Sequence, residues 1–215
     1  SKDTPLAKRF SDEYIRNFHL AQQKERGSTN TITFLDQDKS ILSWCRYDNY
    51  PDLIELHLKT PILPYKKQSF IITYILKIPN DRFTVIGYNN KNEMVLKNCF
   101  LTPSRFENGN FVKYDNLNID DQTNAKYDID LSINIPQGFQ LTSNLIEQSK
   151  QDNRYEFFGK NILNISLYLE SKSTFSLYRN SLIDVWCNIK DHKVNPVQKA
   201  IVVDKIVNYV AQNIS

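Results

Sequence analysis

Between residues 127 and 144 the chain reads YDIDLSINIPQGFQLTSN, with apolar and polar side chains in strict alternation up to a proline and a glycine. Ile129, Leu131, Ile133 and Ile135 fall on one side, and Asp128, Asp130, Ser132 and Asn134 on the other. A period of two is that of a strand with one buried and one wet face, so this stretch predicts a strand closed by a Pro-x-Gly turn. Similar short runs recur through the middle of the chain: NTITFL, KSILSW, DLIELHLKT, QSFIITYILKI, FTVIGY, EMVLKNCFL, NGNFVKY, RYEFFG, ILNISLYLE and SLIDVWCNI. They are separated by turn residues at intervals near ten. This predicts a mainly β protein over about 30–190, with antiparallel sheets in a sandwich or saddle. No helical pattern interrupts them, which argues against a doubly wound α/β fold.

The two ends read differently. TPLAKRFSDEYIRNFHLAQQKERG has a capping Thr4, a Pro5 suited to the first turn, and Leu6, Phe10, Tyr14 and Phe18 at intervals of four, with Gly27 as a stop. A helix over about 4–26 is predicted. NPVQKAIVVDKIVNYVAQNIS offers Asn195 as cap, Pro196 as first residue and a stripe through Val197, Ile201, Val203, Ile206 or Val207, Val210 and Ile214. It predicts a second helix over about 196–211. No repeat, low-complexity tract or Pro- and Gly-rich linker divides the chain, so the expectation is one domain over 1–215.

Composition adds constraints. Twelve Tyr and twelve Phe beside five Gly favour pleated surfaces over glycine-rich phosphate loops. The net charge is +3 with Lys and Arg scattered, which does not make the basic stripe of a nucleic-acid binder. No run reaches the ~18 apolar residues of a membrane helix, and the start lacks a signal peptide's apolar region. The protein is therefore cytosolic, or the sequence begins downstream of any targeting segment. Cys45, Cys99 and Cys187 are too widely spaced for a local metal knuckle and read as unpaired, buried thiols. Trp44 and Trp186 lie in apolar runs and also read as buried.

Catalytic chemistry is sparse. His19, His57 and His192 share no helical face and no His-Glu-x-x-His. His57 would sit on the polar face of its strand. Asp120-Asp121, the one adjacent acidic pair outside helix ends, reads as a solvated turn; NIDDQTN lacks the alternating ligands of a calcium loop. No catalytic, metal or cofactor set follows from these residues.

The segment NCFLTPSRFENGNFVKYDNLNIDDQTNAKYDIDLSINIPQGFQLTSNL resembles the amino-terminal β domain of the aminopeptidase N-like (gluzincin) zinc metallopeptidases. Ser104-Arg105 is similar to that family's Ala-Arg pair and Asp120-Asp121 to the Asp-Glu of its turn. Ala125-Lys126 then opens the strand, and Pro136, Gly138 and Ser143-Asn144 close it. ESKSTFSLYRNSLIDVW is similar to the next strand pair. TPLAKRFSDEYIRNFHLAQQKERG, IPNDRFTVIGYNNKNEM and LTPSRFENG resemble the divergent members found in Bacteroidetes. The family's Gly-x-Met-Glu-Asn and His-Glu-x-x-His are absent, so the resemblance implies a non-catalytic domain of a longer peptidase. Zinc would belong to the missing catalytic domain, the partner would be that domain of the same polypeptide, and the substrate would be a peptide. An extracytoplasmic or membrane-associated parent is compatible with it. In the family a Gln of this domain binds the substrate's free amine; the matching position is near Asn98. Two other readings stand beside it: a free-standing β-sandwich binding or adhesion module, which clustered surface aromatics would favour, and the scaffold domain of a pseudoenzyme.

Overall fold

A computed structural model describes residues 4–47, 50–113, 125–189 and 193–214. The protein is mainly β, built of antiparallel sheets with helices near both ends. The chain divides into two compact units, Ser1–Ser171 and Lys172–Ser215.

The first unit opens with α1 (Pro5–Asp12) and α2 (Asn17–Leu20), then a single 3-10 turn at Gln23–Glu25. Strands β1 (Ser28–Leu35), β2 (Ile41–Leu42), β3 (Trp44–Tyr47), β4 (Tyr50–Leu56) and β5 (Ile71–Lys77) follow. Then come β6 (Gly87–Tyr88), β7 (Met94–Lys97), β8 (Phe106–Glu107) and β9 (Asn110–Phe111). The unit ends with β10 (Tyr127–Asn134), β11 (Gln140–Ser143), β12 (Ile146–Gln151), β13 (Arg154–Ile162) and β14 (Ser166–Glu170). Sheet orders are β2-β1-β5, β10-β13-β12 and β11-β14-β7-β6, with β3-β4 and β8-β9 as two-stranded ribbons.

The core lies between two of these sheets. Tyr155 and Phe157 of β13 are almost fully buried and stack with ring centroids 6.0 Å apart at 11°. Leu141 of β11 and Leu167 of β14 join them with Ile135, Leu145 and Ile165. The inner face of β10 (Tyr127, Ile129, Leu131 and Ile133) packs against this cluster while Asp128, Asp130, Ser132 and Asn134 are exposed. The alternation therefore does what its period dictates: each register step turns one side chain from core to water. Gly159 lies opposite Ile129, where a Cβ would come within 2.7 Å of Leu145 Cδ2, so this close approach admits no larger residue without repacking.

The Pro136-x-Gly138 turn, with Gly138 at φ 85°, leads into β11. The following Ser143-Asn144 acts as a corner clamp. Ser143 Oγ accepts from the Leu145 N–H at 3.1 Å, and Asn144 Oδ1 accepts from the Ser166 N–H at 2.8 Å. Asn144 Nδ2 donates to the Asn164 carbonyl at 3.1 Å. These bonds satisfy backbone groups that the end of a sheet would otherwise leave without partners.

The amino-terminal segment is not the single helix that its apolar spacing predicts. It breaks after Asp12, and Tyr14 takes φ 62° and is 88% exposed. The stripe folds back on itself instead: Phe10 meets Phe18 at 5.0 Å, and Phe18 meets Phe83 at 5.7 Å. Two short helices bring these rings together, which one straight helix facing a flat surface would not require. FTVIGY is also mostly turn, with a strand only at Gly87–Tyr88. Residues 81–85 form a turn, and Gly87 follows at φ 137°, where an added Cβ would run into the Pro79 carbonyl oxygen.

The second unit holds β15 (Ser176–Arg179) and β16 (Asp184–Cys187), an antiparallel pair, and α3 (Pro196–Asn213). Asn195 caps α3 in a capping box with Gln198, and the helix runs two residues beyond the predicted end. Asn180 Nδ2 donates to Asp204 Oδ1 at 2.7 Å, and Lys199 Nζ donates to the Ile189 carbonyl at 2.9 Å, tying the ribbon to the helix. Trp186 is 50% exposed, contrary to the burial predicted from its apolar surroundings: on a two-stranded ribbon it has little sheet to cover it. Trp44, half-buried, meets Phe34 at 6.2 Å. The thiols are likewise not all buried. Cys45 is exposed on the β3-β4 ribbon, which among the described residues joins no larger sheet, and Cys99 and Cys187 are intermediate.

One test addresses the one-sided strand. Ile133→Asp places a carboxylate against the core and removes a packed aliphatic chain, for a loss of several kcal/mol (about 3 or more). Ser132→Asp, one residue away and exposed, changes stability by about 0.5 kcal/mol or less. Urea denaturation of both variants measures the difference, and equal midpoints would contradict the two-faced strand.

Candidate functional site

Asn98 follows the last residue of β7. Its φ of 51° lies in the left-handed region, where Asn is among the few residues that sit easily, and its N–H donates to the Ile165 carbonyl at 3.0 Å. The backbone thus turns away from the sheet at a fixed angle. Asn98 is half-buried, and its side-chain amide makes no hydrogen bond to another described residue. A donor and an acceptor are therefore both available there.

The same corner gathers residues distant in sequence. Tyr74 of β5 donates its phenol to the Cys99 carbonyl at 3.3 Å. Burial pushes the Cys99 thiol up from its ordinary value. Burial also pushes up the phenol of Tyr74, and that of Tyr127, on which Cys99 acts as well. All three hold their protons at neutral pH. In that form the three groups offer hydrogen bonds.

Ser104 and Arg105 have a structural task. Ser104 Oγ donates to the Val112 carbonyl at 2.6 Å, and the Val112 N–H donates to the Arg105 carbonyl at 2.8 Å. They anchor the β8-β9 hairpin, whose Asn108-Gly109 turn has φ 49° and 80°, the two positive values that a tight hairpin needs. Arg105 Nε lies 2.8 Å from Glu107 Oε1 on the same hairpin. The hairpin carries Phe106 and Phe111, 59% and 62% exposed, with centroids 5.0 Å apart. Beyond it Lys113 Nζ stands 4.5 Å over the Tyr47 ring, and a hydrogen bond to Glu55 pushes the Tyr47 phenol up. Sequence reading missed this aromatic surface; the Asn-Gly turn between two phenylalanines was its visible signal.

The histidines do not converge. His19 lies exposed on α2, and His57 lies exposed just past the end of β4 rather than within a strand. His192 and Asp120-Asp121 fall outside the described residues. Among the described residues no three His, Cys, Asp or Glu side chains come together to hold a metal ion. No described helix is long and apolar enough to cross a membrane. Known protein families, curated proteins and solved structures yield no match to this chain.

Two measurements check the corner. Asn98→Ala places at φ 51° a residue that tolerates the left-handed region less well than Asn and costs about 1 kcal/mol, whereas Asn98→Gly costs less or nothing; equal losses would deny the backbone role. The raised acids give a pH signature. Between the unfolded and folded values the unfolded chain binds fewer protons, so stability falls as pH climbs past about 9. Cys99→Ala makes the fall shallower. A thiol reagent should label exposed Cys45 well before Cys99.

Proposed function

We propose that this chain is a non-catalytic domain of a zinc aminopeptidase-like protein, one that caps the catalytic domain and helps to shape the substrate cleft. The observation that carries the reading is α3. It has eighteen residues, none of them buried, and exposes Val202, Ile206, Tyr209 and Val210 along one side. Such a stripe needs a covering surface. In this reading the catalytic domain of the same polypeptide supplies it. The mainly β fold, the Pro136-x-Gly138 turn and the Ser143-Asn144 clamp agree with the resemblance noted in the sequence. The neutral corner suits a part that positions substrate rather than one that cleaves it, and the Asn98 amide would accept the peptide's free amino group. Zinc would be held wholly by the catalytic domain.

Two results test this. The coding sequence beyond residue 215 should encode His-Glu-x-x-His with a later Glu; its absence overturns the peptidase reading, and a retained domain lacking those ligands would make this the scaffold of a pseudoenzyme. In the full protein, Ile206→Asp should lower peptidase activity, while in the 215-residue chain it should alter stability by no more than about 0.5 kcal/mol.

A second reading has its own observation. The exposed Phe106–Phe111 pair and the half-exposed Trp186 are surface aromatics of the kind a free-standing binding or adhesion module presents. Titration with soluble oligosaccharides and peptides, followed by tryptophan fluorescence, would favour it if saturable binding were lost in Phe111→Ala or Trp186→Ala.

A further inference from the structure

Strand β5 ends its sheet, and among the described residues no strand pairs with its outer edge. Every second residue of such an edge points its N–H and C=O outward without a strand partner. Proteins usually blunt edges with charge, proline, a bulge or short length. The other edges of the larger sheets follow that rule. Strand β10 carries Asp128 and Asp130, β12 carries Glu147 and Lys150, β11 has only four residues, and β2 and β6 have two each. The irregularity of the β1-β5 pair lies between Asn30 and Thr33 on β1, so β5 itself is regular.

Strand β5 has none of these guards until Lys77, its last residue. It reads Ile-Ile-Thr-Tyr-Ile-Leu-Lys, and Ile71, Ile72 and Ile75 are 49%, 38% and 61% exposed. Long, regular, and without charge before Lys77, it has the makings of a pairing edge.

We propose that β5 pairs antiparallel with β5 of a second copy, joining two β2-β1-β5 sheets into one six-stranded sheet across a two-fold axis. Charge and side-chain fit favour a second copy over an unrelated strand. With the axis at Tyr74, Ile72 faces Leu76 of the other copy and Thr73 faces Ile75, both pairs common across antiparallel strands. The one charged residue, Lys77, faces Ile71, so no like charges meet. The same operation on β10 would crowd four aspartates, which is why that edge is not the candidate. The contact is self-complementary, as a two-fold interface must be. A seven-residue ladder is small beside the ~1,200 Å² of standard interfaces, so the dimer is weak and forms between about 10 and 500 μM. This inference is independent of the peptidase reading.

The test is sedimentation equilibrium of the 215-residue chain over that range. A monomer–dimer equilibrium is expected. Ile75→Lys sets like charges diagonally across the axis and should weaken association at least tenfold. Ile41→Lys, at a still more exposed site on the opposite edge strand β2, should leave it unchanged. Far-UV circular dichroism of both variants checks their fold. On concentrating the wild-type chain, alternate amides of 71–77 should gain protection from hydrogen exchange, which needs no variant. The proposal is overturned if the chain stays monomeric throughout, if Ile75→Lys dimerises like the parent, or if Ile41→Lys disrupts the dimer equally, which would mean stacked sheet faces. Protection absent from β5 would overturn it as well.

Discussion

The first unit depends on one contact: the Tyr155–Phe157 stack of β13 wedged against Leu141 and Leu167 of the facing sheet. Strand β13 is central in its own sheet, so its side chains must be apolar on the face that meets β11 and β14. The Leu141 N–H also donates to the Tyr155 hydroxyl at 3.4 Å, so the largest buried ring comes with its polar atom partnered. A buried hydroxyl without a partner would cost about 1–3 kcal/mol, comparable to what the ring gains by burial. Other features follow from this packing: the one-sided β10, the bare Gly159 and the Ser143-Asn144 clamp that holds β11 to the end of β14.

How much of this could be read from the sequence depended on whether a residue's environment is local. Strand β10 was legible because its two faces differ at every step, and α3 because Asn195 and Pro196 announce its start by chemistry that acts within one turn. The amino-terminal stripe misled, since Phe10 and Phe18 are satisfied by each other and by Phe83 far along the chain, and spacing does not say which ring a ring will meet. FTVIGY has a strand's composition, yet its first residues close a turn in which the Val85 N–H donates to the Asp81 carbonyl. The tryptophans and Cys45 were misjudged for one reason: narrow ribbons leave apolar residues uncovered, and the width of a sheet is not written in any one strand. Asn98 was reached through a family resemblance. Its grouping with Tyr74, Cys99 and Tyr127 joins β5, the end of β7 and the start of β10, and no short stretch of sequence carries that.

The chemistry of the described surface is chiefly that of contact. Groups whose protonation is perturbed near Asn98 are pushed towards neutrality, the exposed rings of the β8-β9 hairpin offer flat apolar area, and α3 turns aliphatic side chains outward. Among the described residues these are features of contact, and the non-catalytic reading proposed above rests on them.

The pairing of β7 with β14 sets Leu96 opposite Leu167, partners about seventy residues apart in sequence. By contrast β13 meets β12 through a two-residue turn, and β10 reaches β13 within one short excursion. Contacts of long separation are late and slow in folding, because chain must be closed before they return any energy. The β10-β13-β12 sheet is thus placed to form first and to serve as the template onto which β7 is later recruited. Kinetics would show it as an asymmetry: truncating Phe157 should slow folding, whereas truncating Leu96 should mainly hasten unfolding. Until β7 arrives, one side of β14 is an open edge, so the nascent chain is most exposed to aggregation during that interval.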